Sequence, residues 1–173
     1  VEAEADLEVL LALLNSRPLL DGTERDELAD GRRARRWARA HGGTGGAAEL
    51  ARLRDVRERL RAVVTDEEPA AVLGGVLDGV HQVPRLGERG VAWELVAEPD
   101  ARLAVRAVLA WAWARENLPG RLRPCGNDEC RLFLLDRSRA NRARWCSMAT
   151  CGNRMKARRH YDRGRTGRAA AAE

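Results

Sequence analysis

The 173-residue chain has a formal net charge of +5, but residues 1–120 hold 17 basic and 21 acidic residues while residues 121–173 hold 14 and 5, so a mildly acidic body precedes a strongly basic tail. With 45% hydrophobic residues it is too apolar for a disordered chain, and its length fits one ordinary domain or one domain plus a small module. No apolar run approaches the ~20 residues that span a bilayer, the longest (Val105 to Ala114) carries Arg106, and the start, Val1-Glu2-Ala3-Glu4-Ala5-Asp6, lacks the plan of a signal peptide, so the expectation is a cytoplasmic chain with no membrane partner.

In the body, Leu7, Leu10, Leu11 and Leu14 follow the i, i+3, i+4, i+7 spacing of an amphipathic helix that ends near Asn15-Ser16-Arg17-Pro18. Thr23 is placed to cap a second helix, with Glu24, Asp26 and Glu27 in its first turn and Leu28 and Trp37 turned inward. Its basic run, Arg32-Arg33-Ala34-Arg35-Arg36, reads first as a solvated face and second as a contact surface. The glycines of His41-Gly42-Gly43-Thr44-Gly45-Gly46 form a break, not a phosphate loop, because no Lys-Ser/Thr pair follows and no apolar strand precedes. A third helix carries the stripe Leu50, Leu53, Val56, Leu60 and Val63. Thr65-Asp66-Glu67-Glu68 then has the capping-box pattern for a fourth, presenting Val72, Leu73, Val76, Leu77 and Val80.

The period then shortens. Val91, Trp93, Leu95 and Ala97 alternate as one face of a strand, Glu88-Arg89-Gly90 turns the chain, and Gln82 to Leu86 is the partner, held to an edge by Pro84. Asp100 is placed to cap a last helix with Leu103, Ala107, Trp111 and Ala114 on one face, stopped by Asn117-Leu118-Pro119-Gly120. The fold class expected is mainly helical α+β. The organisation is a helical domain over residues 1–118 with a hairpin near 82–98, a linker at 119–124, a finger at 125–163 and a flexible tail at 164–173. His41 and His81 are isolated and no carboxylates are paired by spacing, so no catalytic residue and no organic cofactor are nominated and the chain reads as a non-enzyme.

All four cysteines lie in the tail, as C-x4-C-x15-C-x4-C: Cys125, Cys130, Cys146 and Cys151. Two pairs, each from one local turn, form a tetrahedral thiolate set suited to one structural Zn²⁺, with no open position for a reacting water. Two disulfides are disfavoured in a cytosolic chain, and four buried free thiols are disfavoured by their polar neighbours. The metal also answers a size problem, since some forty residues rarely fold on their own core. Locally, Leu132 to Leu135 reads as a strand, Arg137 to Arg142 as a turn and Arg144-Trp145-Cys146 as a returning strand. Ser147 caps a helix that carries Cys151 and runs toward Tyr161. Knuckle, hairpin and ligand-bearing helix make a treble-clef-like four-cysteine finger. Of the 31 basic residues 30 are Arg, so arginine content reflects composition and only its placement informs. Arg154 and Arg158 fall on one flank of the helix, Lys156, Arg159 and Arg163 on the other, and Arg142 and Arg144 add charge from the hairpin. This surface suits nucleic acid, DNA first, with RNA or an acidic protein partner as alternatives.

Cys151-Gly152-Asn153-Arg154, with Trp145-Cys146 before and Lys156 after, resembles the CGNR zinc finger family. Leu13-Leu14-Asn15-Ser16 and the segment Leu28 to Trp37 resemble the ABATE domain, the usual companion of that finger. The resemblance implies a stress-responsive transcription regulator that binds DNA through the finger. It makes the four cysteines the zinc ligands and Gly152, Asn153 and Arg154 the signature residues. The helical domain would then be a sensor, for a small-molecule effector or a partner, or a dimerisation unit.

Overall fold

Leucines at helical spacing pull the first segment inward: Leu7, Leu10, Leu13 and Leu14 of α1 (Ala3–Leu14) are buried, with Leu11 half-buried at the edge. The computed structural model describes residues 3–20, 22–29, 31–88, 90–158 and 161. Arg159, Arg163 and the expected tail at 164–173 lie outside them. Helices α3 (Ala47–Val64) and α4 (Pro99–Asn117) pack with α1 around one apolar core. Every position of the expected α3 stripe is buried, as are Leu103, Ala107 and Ala114 of α4, with Trp111 half-buried. Pro99 opens α4 and Glu98 takes the cap position expected for Asp100, whose carboxylate instead accepts a 2.7 Å bond from the Thr44 hydroxyl. Gly120, at φ 68°, turns the chain beyond the end of α4.

The second helix starts later than its capping pattern predicts. Thr23–Glu24 (β2) pairs antiparallel with Leu19–Leu20 (β1), and α2 spans Gly31–Ala40. A tertiary ion pair decides this. Asp26 accepts two 2.7 Å bonds from the buried Arg57 guanidinium and a 2.8 Å bond from the Leu28 N–H, which fixes a turn where a first helical turn was expected. Burial opposes the charge on Asp26, but these bonds hold its carboxyl below the ordinary value. Leu28 and Trp37 are still inward, as expected.

The fourth expected helix is a 3-10 segment, Ala70–Leu77, in which only Leu73 is fully buried. Thr65 does not cap it. Its hydroxyl bonds back to the carbonyls of Arg61 and Ala62 and closes α3, and Asp66 follows at φ 58°. Gly74-Gly75 in mid-segment removes the propensity that would favour α-helix. The hairpin forms as expected: β3 (His81–Gly87) pairs antiparallel with β4 (Gly90–Val96), Pro84 opposite Trp93 and Gly87 opposite Gly90. Its apolar face is not covered, and Leu86, Val91 and Trp93 are exposed. Among the described residues no helix is long and apolar enough to cross a membrane.

The second half of the expected linker at 119–124 is a strand instead. Leu122–Pro124 (β5) pairs antiparallel with Phe133–Leu135 (β6), and Phe133, Leu122 and Leu135 join the apolar core of the body.

Candidate metal centre

The hairpin β5–β6 carries the first cysteine pair in its loop. The Cys125 N–H donates to the Leu132 carbonyl at 2.8 Å and the Cys130 N–H to the Asn127 carbonyl at 2.7 Å, a tight knuckle that turns both thiols to one point. The second pair arrives with a helix. Ser147 caps it as expected, its hydroxyl accepting from the Thr150 N–H at 3.3 Å. The first turn, Met148–Gly152, is a wide π turn carrying Cys151, and helix continues over 153–158.

All four sulfurs lie within 4.8 Å of one another. The Cys130–Cys146 and Cys146–Cys151 separations are each 3.7 Å. Thiolates ~2.3 Å from a tetrahedral zinc are about 3.8 Å apart, so these two pairs already have the spacing of a zinc site, and the widest pair would close by about 1 Å at most on Zn²⁺. The Cys146 N–H points at the Cys125 sulfur (3.4 Å) and the Asn127 amide at the Cys151 sulfur (3.5 Å), so donors already face the charge that thiolates would carry. The thiols alone are in conflict. Burial first, then neighbouring sulfurs, push Cys130 up to about 11 and raise Cys146 as well. Burial also opposes charge on Cys151, but hydrogen bonds, that from Asn127 foremost, bring it below its ordinary value. A divalent cation at the centre would offset half of the charge of four thiolates and draw them together, which relieves the conflict. Zinc here would fasten the knuckle to the helix and hold the finger's fold.

Two contributors are missing from the sequence reading. Asn127 is buried inside the knuckle and supports Cys151; its position in the first C-x4-C gap is the signal that was available. Asp136 is buried and replaces the expected returning strand at 144–146, which does not form. It accepts the N–H groups of Ser138 and Ala143 (2.8 Å each) and the Arg123 guanidinium (2.7 Å). Arg123 also holds the Ala143 carbonyl at 2.6 Å, so side chains fold this loop where a ladder was expected. Hydrogen bonds from Ser138 first, then Ala143, with the Arg123 charge beside them, hold the Asp136 carboxyl at about 2 against burial.

The signature residues divide their roles. A Cβ on Gly152 would lie 2.9 Å from Met148 and 3.3 Å from the Trp145 ring, so glycine lets the helix close on Trp145. Asn153 bonds back to the Ala149 carbonyl (3.2 Å), not to a knuckle carbonyl. Arg154 is exposed. Of the other expected contact residues, Arg142, Arg144 and Lys156 are exposed, Arg144 with its guanidinium over Trp145, and Arg158 pairs with Glu129 of the knuckle at 3.2 Å. Arg131 and Arg137 turn toward the body, pairing with Glu24 and Glu8.

The finger is fastened to the body through Asn15. Its side-chain amide donates to the Phe133 carbonyl at 3.1 Å and its carbonyl accepts the Phe133 N–H at 2.7 Å. Arg61 donates to the Leu14 carbonyl (2.7 Å) and the Arg131 carbonyl (3.0 Å), with its guanidinium 4.9 Å from the Phe133 ring centre.

Comparison with known families agrees with this architecture. Residues 7–118 match the ABATE family, described as "putative stress-induced transcription regulator", and residues 121–164 match the CGNR zinc finger. Among curated proteins, nothing matches. The chain belongs to the ABATE family and carries a CGNR zinc finger behind that domain.

Proposed function

We propose that this ABATE-family chain is a DNA-binding transcriptional regulator whose finger lies on the phosphate backbone through the loop and helix that close the zinc cluster, with the helical domain as sensor or interaction domain. The observation that carries this is a contrast in pairing. Arg142, Arg154 and Lys156 of the finger are exposed and make no ion pair among the described residues, whereas Arg131 and Arg137, which turn toward the body, are matched to carboxylates. Arg144 and Arg158 flank that surface, and Arg159 and Arg163 follow in the sequence. Such contacts fix position and affinity, and sequence preference has to come from base edges or DNA shape. The zinc has a structural part only. On this reading the chain works in the cytoplasm, at the nucleoid when bound. An effector would find room in a 500 Å³ cavity between the ends of α3 and α4, lined by Val63, Pro69, Trp111, Arg115, Leu118 and Leu122.

Selection of bound duplexes from a random pool, followed by a salt titration, tests the proposal. With about five phosphates neutralised, affinity should fall roughly 500-fold between 50 and 200 mM salt. Salt-independent binding, or unchanged affinity in R142Q/R154Q/K156Q, would overturn it. The exposed apolar hairpin supports a second reading, a protein-interaction module without DNA. A single partner recovered by pull-down, with random duplex or RNA failing to compete, would select that reading.

A further inference from the structure

Helix α2 carries five arginines and no acidic residue in ten positions, Gly31–Ala40. Its inner face is settled: Ala34, Trp37 and Ala38 are buried, and the Trp37 ring stacks against His41 at 4.2 Å. At 100° per residue, Arg32, Arg35, Arg36 and Arg39 fall within about 100° of arc on the opposite side. Gly31, these four arginines and Ala40 line one open depression. Arg35 and Arg36 are exposed and make no hydrogen bond or ion pair among the described residues, and Arg39 has only a 3.4 Å bond to the Thr44 carbonyl.

Composition does not explain this face, because the same chain treats arginine differently next door. Every arginine of α3 has a partner: Arg52 with Glu98, Arg54 with the Leu28 carbonyl, Arg57 with Asp26, Arg59 with Asp55 and Arg61 with the Leu14 carbonyl. On α2 the pairs Arg32/Arg36 and Arg35/Arg39 stand four apart and Arg32/Arg35 and Arg36/Arg39 three apart, spacings at which like charges weaken a helix. A merely solvated face would be more stable with acids interspersed. A face of forked, permanently charged donors four residues apart suits a row of phosphates. Its place in the fold is also suited. Arg54 holds the turn before α2 and Arg61 holds Arg131 of the finger. These two anchors are seven residues apart on α3, about 10 Å.

We infer that the outer face of α2 is a second phosphate-binding surface, which engages the backbone of the same duplex DNA as the finger and adds its own share of the salt-dependent affinity. The inference rests on the DNA-binding reading for its partner but not for its residues. The test uses the full zinc-loaded chain and a labelled 30-base-pair duplex of random sequence, with affinity read by anisotropy from 50 to 200 mM salt. In R35Q/R36Q the loss across that range should shrink by roughly 12-fold, the slope of two phosphates at 0.9 each. R35K/R36K should keep most of the wild-type slope, and the melting temperature of R35Q/R36Q should equal or exceed wild type. An unchanged slope in R35Q/R36Q, with R142Q/R154Q/K156Q weakened, overturns this inference and leaves the finger reading standing. A reduced slope in R35Q/R36Q with the finger variant unaffected removes the finger reading and overturns the shared engagement inferred here, leaving α2 as the DNA-binding surface by itself. No binding by the wild-type chain removes both.

Discussion

Asn15 completes for Phe133 what a neighbouring strand would supply. One side-chain amide meets both the carbonyl and the N–H of a residue 118 positions away, at 3.1 and 2.7 Å. Phe133 itself is buried among body residues, so the bonds lie beside an apolar contact. Asn15→Ala would leave a half-buried N–H and carbonyl without partners, at a cost of about 1–3 kcal/mol. Asn15→Asp keeps the acceptor and loses the donor, so it should fall between Ala and wild type. Denaturant unfolding of the three proteins checks this order, and equal stability of Asn15→Ala and wild type would remove the bond pair as a fastening. The sequence marks Asn15 only through family resemblance. Its partner depends on how the finger docks, which no local pattern contains.

The 3-10 segment Ala70–Leu77 shows what periodicity can and cannot read at the level of elements. Its apolar spacing resembles that of α1 and α3, and those two helices form where it predicts. Here two adjacent glycines tip the balance to tighter, less regular turns. Neither glycine has a positive φ; a Cβ on Gly74 meets nothing within 4 Å and one on Gly75 only Asp78 at 3.8 Å. G74A/G75A should therefore stabilise the chain by roughly 0.4–1 kcal/mol per site and increase the 222 nm helix signal. A lowered melting temperature would mean that the segment needs its glycines for a reason absent from its contacts. The hairpin β3–β4 was legible because turn residues and alternation agree locally. The partner of β6 was not. Leu122-Arg123-Pro124 is short, contains a proline and looks like a linker, and only the Arg123–Asp136 pair, with the docking of Leu122 on the core, selects it as the strand. The clustering of the four cysteines was legible from two equal C-x4-C gaps in a chain segment too small to fold on its own core, which together favoured a common centre over disulfides or free thiols.

At the scale of the molecule, body and finger share one core, and this changes what metal removal should do. The small size of the cysteine segment suggests a finger that unfolds without zinc while the helical body survives. Small zinc modules draw roughly 10–16 kcal/mol of folding free energy from the metal, and the few large apolar residues of this one make the same dependence expected. Yet Phe133, Leu122 and Leu135 belong to the body's core, and Asn15 and Arg61 are spent on holding the finger. When the finger opens, the body loses a buried aromatic side chain, a change of the kind that costs about 3–5 kcal/mol when made by Phe→Ala substitution. The bulk of the helical signal should survive chelation at neutral pH, because α1, α3 and α4 keep their mutual contacts. The melting temperature of what remains should fall by roughly 10 °C or more, and one equivalent of zinc should restore it. An unchanged melting temperature after stripping would make the finger an independent module. Complete loss of helix would mean that α1, α3 and α4 cannot hold a core without Phe133 in place.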